Sequence, residues 1–410
     1  MDENLAWKTV FIGTIFSLII LGIAYYFISP PQSEFFTEEK MEKIAEFKDT
    51  RVSGRKEGKK TWVLFAKYGW TEKNREITYL YDVTQGEIYK DEKLVVSDLT
   101  SPWAKAYRHS EIVEAYARSE GKTEGERQLK AKINLGKISK PKSNSKEWTR
   151  FTADYLRYIP KEKRTEIKGK IEMIKRDSSI FSEKINLDND KNIADISEDI
   201  RIIRKDGVLY AEHLKYFSDN ERLEADEKVR LNIKENKVKT RIKTAHASFS
   251  TDMSKDMTFS GSLEVVQGKK AAVAHGGVYS QKKKELFMKG NARAVFAKGG
   301  VILKEKTAEN LKNKEAKELL KEKTFLASQE LTLSTWTGDA TASGSVEVTQ
   351  KGKEAKAEHA VYDDKKEIIT LTGKAKMKKK DEWVNARKII VSVKDEEFEA
   401  IGKVEAKLII

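Results

Sequence analysis

From about residue 58 to the C-terminus, apolar and polar residues alternate with a period of two. This pattern is typical of β-strands that bury one face and expose the other. Residues two apart in a strand share a face, so Leu, Val, Ala, Met and Gly are placed on one side and Lys, Glu, Ser and Thr on the other. The pattern predicts a mainly β protein.

A motif of the form apolar-x-Gly-x-apolar-x-apolar recurs six times along the chain. The intervals from Gly261 to Gly290, from Gly344 to Gly373 and from Gly373 to Gly402 are each 29 residues, and a 54-residue interval separates Gly290 from Gly344. A fixed period indicates stacked units, each made of a strand, a polar turn and a strand. This predicts roughly two dozen strands arranged in two facing antiparallel sheets.

The inward residues of several copies are small, and two arrangements of the facing sheets stay open. Closely packed sheets would form a filled core, whereas separated sheets would leave a gap lined by apolar walls that admits acyl chains. The repeated glycine also fits a bulge in a curved sheet. The residues predicted to line a groove are Ile167, Ile171, Met173, Phe259, Leu263, Val265, Leu286, Met288, Ala292, Ala294, Val346, Val348, Leu371, Ala375, Met377, Val404 and Ala406.

Sheet edges are candidate partner sites, because an exposed edge binds a further strand through main-chain hydrogen bonds. We predict that the first and last strands of the body form those edges. The residues predicted for them are Trp62, Val63 and Leu64 at one end and Val404, Ala406 and Leu408 at the other.

Residues 9–28 carry no charge and would span roughly 30 Å as a helix, which predicts a single transmembrane segment. Lys8 precedes the segment, and no Lys or Arg follows it before Lys40, so the short N-terminal tail is predicted to be cytoplasmic and the body exported. The alternative of a cleaved signal peptide is disfavoured, because the apolar region is too long and no small-x-small site follows it.

The rest of the chain divides by composition. We predict a cytoplasmic tail at 1–8, a linker at 29–57, a first β segment at 58–117, a polar linker at 118–147 and a β-repeat body at 148–410. Residues 304–325 have a helix-forming composition, which predicts a helical insertion within that body.

The composition limits the classes of function that the protein can have. Charged residues make up 35% of the 410 positions and apolar residues 39%, which favours a thin structure over a thick core. The absence of cysteine excludes disulfides and a thiol nucleophile, and no motif of a hydrolase, a metalloprotease or a nucleotide-binding protein is present. The net charge of +14 permits an anionic partner, but the basic residues are dispersed and show no nucleic-acid-binding motif. We predict no enzyme activity, cofactor, metal or nucleic-acid partner.

Three stretches carry a family likeness: 59–66 (KKTWVLFA), 207–233 (GVLYAEHLKYFSDNERLEADEKVRLNI) and 357–377 (AEHAVYDDKKEIITLTGKAKM). With the predicted anchor, they resemble the OstA-like lipopolysaccharide-transport family, with an LptC-type N-terminal part that continues into LptA-like repeats. The chain is about twice as long as a usual LptC-type protein.

The resemblance implies an elongated, open, twisted β-jellyroll whose V-shaped apolar interior shields the acyl chains of lipopolysaccharide. It also implies an inner-membrane ABC transporter at the N-terminal edge and another β-jellyroll protein at the C-terminal edge. The expected location is the inner membrane, by a single pass, with the bulk in the periplasm. The alternative is a membrane-anchored β scaffold or tether of the cell envelope with a filled core.

Overall fold

The computed structural model describes residues 43–90, 92–118, 128–133, 148–175, 178–252, 254–268, 270–296, 324–350, 352–395 and 397–407. These ranges contain 24 strands, which confirms a mainly β protein. The strands are β1 Lys43–Lys56, β2 Lys59–Glu72, β3 Ile77–Lys90, β4 Lys93–Tyr107, β5 Val113–Tyr116, β6 Leu129–Ile133, β7 Thr149–Ala153, β8 Tyr155–Ile159, β9 Arg164–Lys175, β10 Ser178–Asp188, β11 Ile193–Arg204, β12 Gly207–Phe217, β13 Arg222–Glu235, β14 Val238–Ser250, β15 Met257–Gln267, β16 Lys270–Ser280, β17 Glu285–Phe296, β18 Thr324–Ser334, β19 Ala340–Gln350, β20 Lys353–Asp363, β21 Ile368–Lys379, β22 Glu382–Ser392, β23 Phe398–Ile401 and β24 Glu405–Lys407.

All the strands belong to one antiparallel sheet rather than to two separate ones. From β1 to β4 and from β9 to β22 each strand pairs with the next. Between these runs, β5 and β6 pair with the two halves of β4. Strand β8 then pairs with β5, and β7 pairs with β6. Strands β7 and β8 both pair with β9. The body is therefore one continuous ladder.

Most of the strands bend sharply near their middle. In β15 and β16, Ser260 pairs with Gly276 and Leu263 pairs with Ala274, so Gly261 and Ser262 together oppose one residue of the neighbour. Both residues have positive φ angles, and such a bulge kinks a strand. The same pair of left-handed residues occurs at Gly169–Lys170, Glu198–Asp199, Glu227–Lys228, Gly261–Ser262, Gly290–Asn291, Gly344–Ser345, Gly373–Lys374 and Gly402–Lys403.

The repeated glycine therefore forms the corner, and the prediction that it faces inward with the apolar residues was wrong. Ile167 and Ile171 are buried, whereas Lys168, Gly169 and Lys170 between them are not, since the bulge turns all three outward. Glu198–Asp199 and Glu227–Lys228 continue the 29-residue spacing from Gly169 without a glycine. These two copies do not follow the sequence motif, because the motif requires a glycine at this position.

Beyond the corner, each strand folds back so that its two ends meet. The hairpin turns form two rows, because those that follow odd-numbered strands and those that follow even-numbered strands lie at opposite ends of the strands. A straight 11-residue strand such as β10 would separate the two rows by roughly 36 Å. Yet Lys175, at the end of β9, donates a 2.7 Å hydrogen bond to the hydroxyl of Tyr216, at the far end of β12. Each strand therefore contributes to both arms of a flattened tube, with the bulges along one side and the turns along the other.

Several predicted boundaries change. The predicted linkers 29–57 and 118–147 contain strands β1 and β6, because both segments find pairing partners, β2 for the first and β4 and β7 for the second. Since the long strands run through both arms instead of being shared between two sheets, the ladder is on the order of 100 Å long.

The predicted helices fall largely beyond the described ranges. The segment 9–28 lies outside them entirely, and so does 304–323 of the helical insertion, while Thr324 and Phe325 begin β18. Among the described residues, no helix has the length and apolarity needed to cross a bilayer.

Candidate functional site

The inward face of the bent ladder forms one continuous apolar cluster along most of the body. Residues of both arms belong to this cluster, so the arms pack against each other. The predicted lining residues that are buried in it are Ile167, Ile171, Met173, Phe259, Leu263, Val265, Leu286, Met288, Ala292, Ala294, Val346, Val348, Leu371 and Ala375.

The remaining three predicted lining residues lie near the C-terminal end. Met377 is half-buried against the cluster, whereas Val404 is 51% exposed and Ala406 is also exposed. Ala406 pairs with Val384, which pairs with Met377, so its register places it on the inward face. Ala406 is nevertheless exposed, because no further described strand forms an opposing arm at this end. Val404 and Ala406 are therefore not part of a buried lining.

The interior is closed along its middle, unlike the open V that the family resemblance implies. Met288 and Leu371 are 0% exposed, and even the small Ala375 is only 2% exposed. These side chains have almost no contact with solvent, because they pack within the core cluster. A lipid chain could occupy this interior only if the arms moved apart.

The line along which the two rows of turns meet, called the seam below, is held by polar side chains. Lys175 contacts Glu221 at 3.5 Å in addition to Tyr216. The side chains of Arg204 and Asp206 are only 2% and 1% exposed, and their Nε and Oδ1 atoms lie 3.1 Å apart. Arg204 Nη1 also donates a 3.3 Å hydrogen bond across the seam to the carbonyl of Ser250.

Further along the seam, Glu235 accepts hydrogen bonds from Lys284 and, at 3.0 Å, from the hydroxyl of Thr335. Gln267 Nε2 donates a 2.9 Å bond to the carbonyl of Ser334. Because the side chains of Glu235 and Gln267 are buried, losing a partner here would leave a desolvated polar group.

The last two ties lie near the C-terminal end of the seam. Lys270 donates to the carbonyl of Gly338 and to the carboxylate of Asp364, and burial lowers the pKa of this lysine while Asp364 opposes the shift. Gln350 Nε2 donates a 3.3 Å bond to the carbonyl of Ser392. The ties therefore run along most of the body.

The sequence marks these residues by a break in the alternation of apolar and polar positions at the ends of strands. In β9 the inward series Ile171, Met173 ends at Lys175, and in β11 the series Ile200, Ile202 ends at Arg204. A polar residue thus stands where alternation calls for an apolar one. The positions of this kind are Lys175, Arg204, Glu235, Gln267 and Gln350, and Phe296 holds the equivalent place in β17.

The two rows of turns meet with an offset of three strands. The turn after β9 meets the turn after β12, and the turn after β11 meets the turn after β14. Phe296, at the end of β17, likewise contacts the ring of Tyr362, at the end of β20, at 4.5 Å. The offset leaves the first turn of one row and the last turn of the other without a described partner, so the tube has a mouth at each end.

The edges of the sheet differ from the predicted ones at the N-terminal end. Trp62, Val63 and Leu64 belong to β2, which pairs with β1 on one side and with β3 on the other, so they are buried and cannot receive a partner strand. The prediction missed the pairing capacity of residues 43–56, and β1 is the edge. At the other end, within the part of the chain that the structure describes, β23 and β24 pair with β22 and with no other strand, while Leu408 lies outside that part.

The outer face of β2 to β8 carries an aromatic ladder that sequence reasoning did not identify. Trp103 stacks on Tyr116 at 4.2 Å between ring centroids. The buried carboxylate of Glu114 accepts hydrogen bonds from the hydroxyls of Tyr107, Tyr116 and Tyr155 at 3.0, 2.6 and 3.1 Å. Burial, reinforced by Glu114, raises the pKa of Tyr107 to about 12. This cluster braces the outer wall rather than the interior.

Metal-binding chemistry finds no support in the part of the chain that the structure describes, where no group of three potential ligands converges. His213 lies 3.5 Å from Asp195, and His246 Nδ1 lies 2.6 Å from Asp226, both in pairs on the outer surface. The interior is an apolar space with polar ties at its seam, which suits the burial of apolar groups.

Comparison with known proteins gives one family. Residues 244–397 match the family described as LptA/(LptD N-terminal domain) LPS transport protein. The matched stretch runs from within β14 to the turn after β22, so it includes the corner glycines from Gly261 to Gly373 and the seam residues from Gln267 to Gln350. The match bears out the LptA-like resemblance for this segment, and it does not extend to the part predicted to be LptC-type.

Among solved structures, the chain is similar to LptH from Pseudomonas aeruginosa, the LptA homologous periplasmic component of the conserved lipopolysaccharide transport device. The similarity covers 42% of this chain and 95% of that chain, at 11% sequence identity and a TM-score of 0.20. No curated protein sequence matches this chain.

Proposed function

We propose that this chain is a periplasmic component of lipopolysaccharide transport that shields lipid acyl chains between the arms of its bent β-ladder. The observation that carries the proposal is the match of residues 244–397 to the LptA and LptD N-terminal family. The apolar inward face of the same segment supports it, because burial in such a space is worth about 0.8 kcal/mol per methylene.

In this proposal the acyl chains enter by parting the seam, because the interior is closed. Separating the arms exposes the inward face and breaks polar ties such as Arg204 to Ser250. The entering hydrocarbon replaces the lost apolar contacts, and the freed polar groups become hydrated at the surface. The lipid would move by exchanging one set of non-directional contacts for the next, without a covalent step.

The membrane anchor and the bridge are the finer part of the proposal. The uncharged segment 9–28 would hold the N-terminal end at the inner membrane. Strand β1 would pair with an inner-membrane ABC transporter, and β23 and β24 would receive another β-jellyroll protein, since both ends of the ladder present an edge. This arrangement would place an LptC-type function and LptA-like repeats in one chain.

Site-specific photo-crosslinking to lipopolysaccharide tests the conduit. A diazirine side chain replaces Met288, which is 0% exposed in the middle of the interior, or Met377, which is half-buried at the C-terminal mouth. The matched controls are the outward neighbours Lys289 and Lys378, both exposed. We expect the two inward positions to label lipid in cells and the two outward positions to remain unlabelled.

A second candidate function is a membrane-anchored scaffold or tether of the cell envelope. The closed interior favours it, because a core filled by the protein's own side chains needs no lipid to be stable. The same experiment separates the two candidates. A scaffold would give no lipid label at Met288 even when lipopolysaccharide is being exported, and equal labelling at Lys289 would also count against a conduit.

A further inference from the structure

The N-terminal mouth of the tube contains a cavity of about 520 Å³, a volume within the range of small-ligand sites. It lies between β1 on one arm and the turns after β2 and β4 on the other. Val52, Trp62 and Ala106 form an apolar floor that continues into the core cluster. The indole nitrogen of Trp62 donates a 3.0 Å hydrogen bond to the carbonyl of Glu111, which closes the inner end.

Three arginines stand at the outer part of this cavity. Arg55 lies at the end of β1, Arg75 in the turn after β2 and Arg108 in the turn after β4, and all three are exposed. Within the described ranges no carboxylate forms an ion pair with any of them, whereas many other basic residues of the chain are paired. Three separate segments of the chain thus each contribute an arginine to the lining of one cavity.

Glu111 is the acidic residue among those lining the cavity. Burial raises the pKa of its carboxyl group, while the positive charges of Lys56 and Lys161 act in the opposite direction. The surroundings of this one acid are therefore themselves basic, and an anion at the mouth would be attracted on balance.

We infer that the N-terminal mouth is a binding site for a phosphate-bearing amphiphile, with the phosphate held by Arg55, Arg75 and Arg108 and the start of the chain on the apolar floor. Guanidinium groups present paired donors that match phosphate oxygens, and such charge-assisted bonds are stronger than neutral ones. The apolar floor next to the arginines selects an amphiphile over a free anion, because a free anion would leave that surface uncovered.

The inference deepens the proposed function, on which it rests for the identity of the natural ligand. In that setting the site would receive the lipid at the membrane-facing end before the acyl chains reach the seam. The phosphate chemistry itself depends only on the cavity and its three arginines. Its test is therefore independent of whether Met288 labels lipid.

Binding of three defined probes to the full chain held in amphipol tests the inference by titration calorimetry. The probes are palmitoyl lysophosphatidic acid, palmitoyl lysophosphatidylcholine and glycerol 3-phosphate, which separate a phosphate monoester with a chain, a zwitterion with the same chain and the headgroup alone. We expect lysophosphatidic acid to bind at least tenfold more tightly than either of the others.

The variants are two triple substitutions of equal charge change. Arg55→Gln/Arg75→Gln/Arg108→Gln removes the cluster and should weaken lysophosphatidic acid binding at least tenfold. The control is Arg230→Gln/Arg293→Gln/Arg387→Gln, at exposed positions away from the mouth, and it should change binding less than twofold. Any lipid that associates with the N-terminal apolar segment contributes equally to both variants. Thermal unfolding of each variant checks that the fold is retained.

Several results would overturn the inference. Equal weakening by the two triple variants would mean that overall charge attracts the lipid, and equal binding of lysophosphatidylcholine would exclude a phosphate-selective site. Binding of glycerol 3-phosphate as tight as that of lysophosphatidic acid would assign the site to a free anion. If lysophosphatidic acid does not bind but a crosslinker at position 288 still labels lipid, the binding site at the mouth has failed and the conduit stands. If lysophosphatidic acid binds but position 288 gives no label, the conduit has failed and the binding site stands.

Discussion

Removing one member of the buried pair in the turn after β11 should open the seam locally. The substitution Asp206→Asn keeps the shape of the side chain but leaves the guanidinium of Arg204 without a counter-charge. Because the two side chains are only 1% and 2% exposed, water cannot replace the lost partner. The tie from Arg204 to the carbonyl of Ser250 is then held by an uncompensated charge.

The expected cost follows from that burial. Breaking a buried ion pair by removing one partner typically destabilises by about 3–5 kcal/mol. The double substitution Arg204→Met/Asp206→Leu removes both charges and fills the space with apolar groups, which leaves mainly the carbonyl of Ser250 without its donor, a loss of about 1 kcal/mol. The double variant should therefore be more stable than the single one by about 2 kcal/mol or more.

Native-state hydrogen exchange measures this locally, since a repeat array can open in parts. In Asp206→Asn the amides of β11, β12 and β14 should exchange faster by about two to three and a half orders of magnitude, at about 1.4 kcal/mol per tenfold. Glu358→Gln is the control, because it removes an exposed ion pair with Lys374 on the outer corner and should change exchange less than about fivefold.

Two outcomes would refute the reasoning behind this prediction. An increase below tenfold in Asp206→Asn would show that the buried pair does not hold the seam. A double variant that exchanges as fast as the single one would show that the loss of packing, and not the unpaired charge, causes the opening.

Three further predictions concern the corner, the outer wall and the core. Gly373→Ala should lower the free energy of unfolding more than Gly352→Ala does. Each substitution loses about 1–2 kcal/mol because of the positive φ, but a Cβ at Gly373 would also lie 2.8 Å from the side chain of Glu358, whereas Gly352 has open space around it. Urea unfolding measures the difference, and equal losses of stability would contradict the prediction. Tyr107→Phe should reduce the loss of stability between pH 10 and pH 12. The pKa of this tyrosine is about 12 in the folded protein and about 10 in the unfolded chain, so its contribution to stability is complete below pH 10 and is lost as the pH rises. Parallel declines in stability of the wild type and the variant would contradict this prediction. Ile389→Ala should destabilise by about 2–5 kcal/mol, because this side chain is 0% exposed, and a loss under 1 kcal/mol would mean that the arms are not packed there.

The sequence by itself determined the strands of the repeat body, their inward faces and the repeat. Alternation in β17 and β21 identified Met288, Ala292 and Leu371 as inward residues, because a strand with one buried face must alternate whatever it packs against. The 29-residue spacing located the corners wherever a glycine marks them. It did not locate the copy at Glu198–Asp199, because any residue can take a positive φ when the surrounding ladder compensates for its cost.

Only the tertiary structure decided whether the strands form two sheets or one that folds back, because alternation is the same in both cases. It also decided the closure of the interior and the partners across the seam. Lys175 and Tyr216 are 41 residues apart, and their contact depends on a bend in every intervening strand and on an offset of three strands between the two rows of turns. The three arginines of the N-terminal mouth are brought together in the same way, from the end of β1 and from two turns that no local pattern connects. Strand pairing and bending add up over the length of the ladder, so the position of each turn is a property of the whole body and not of its own segment.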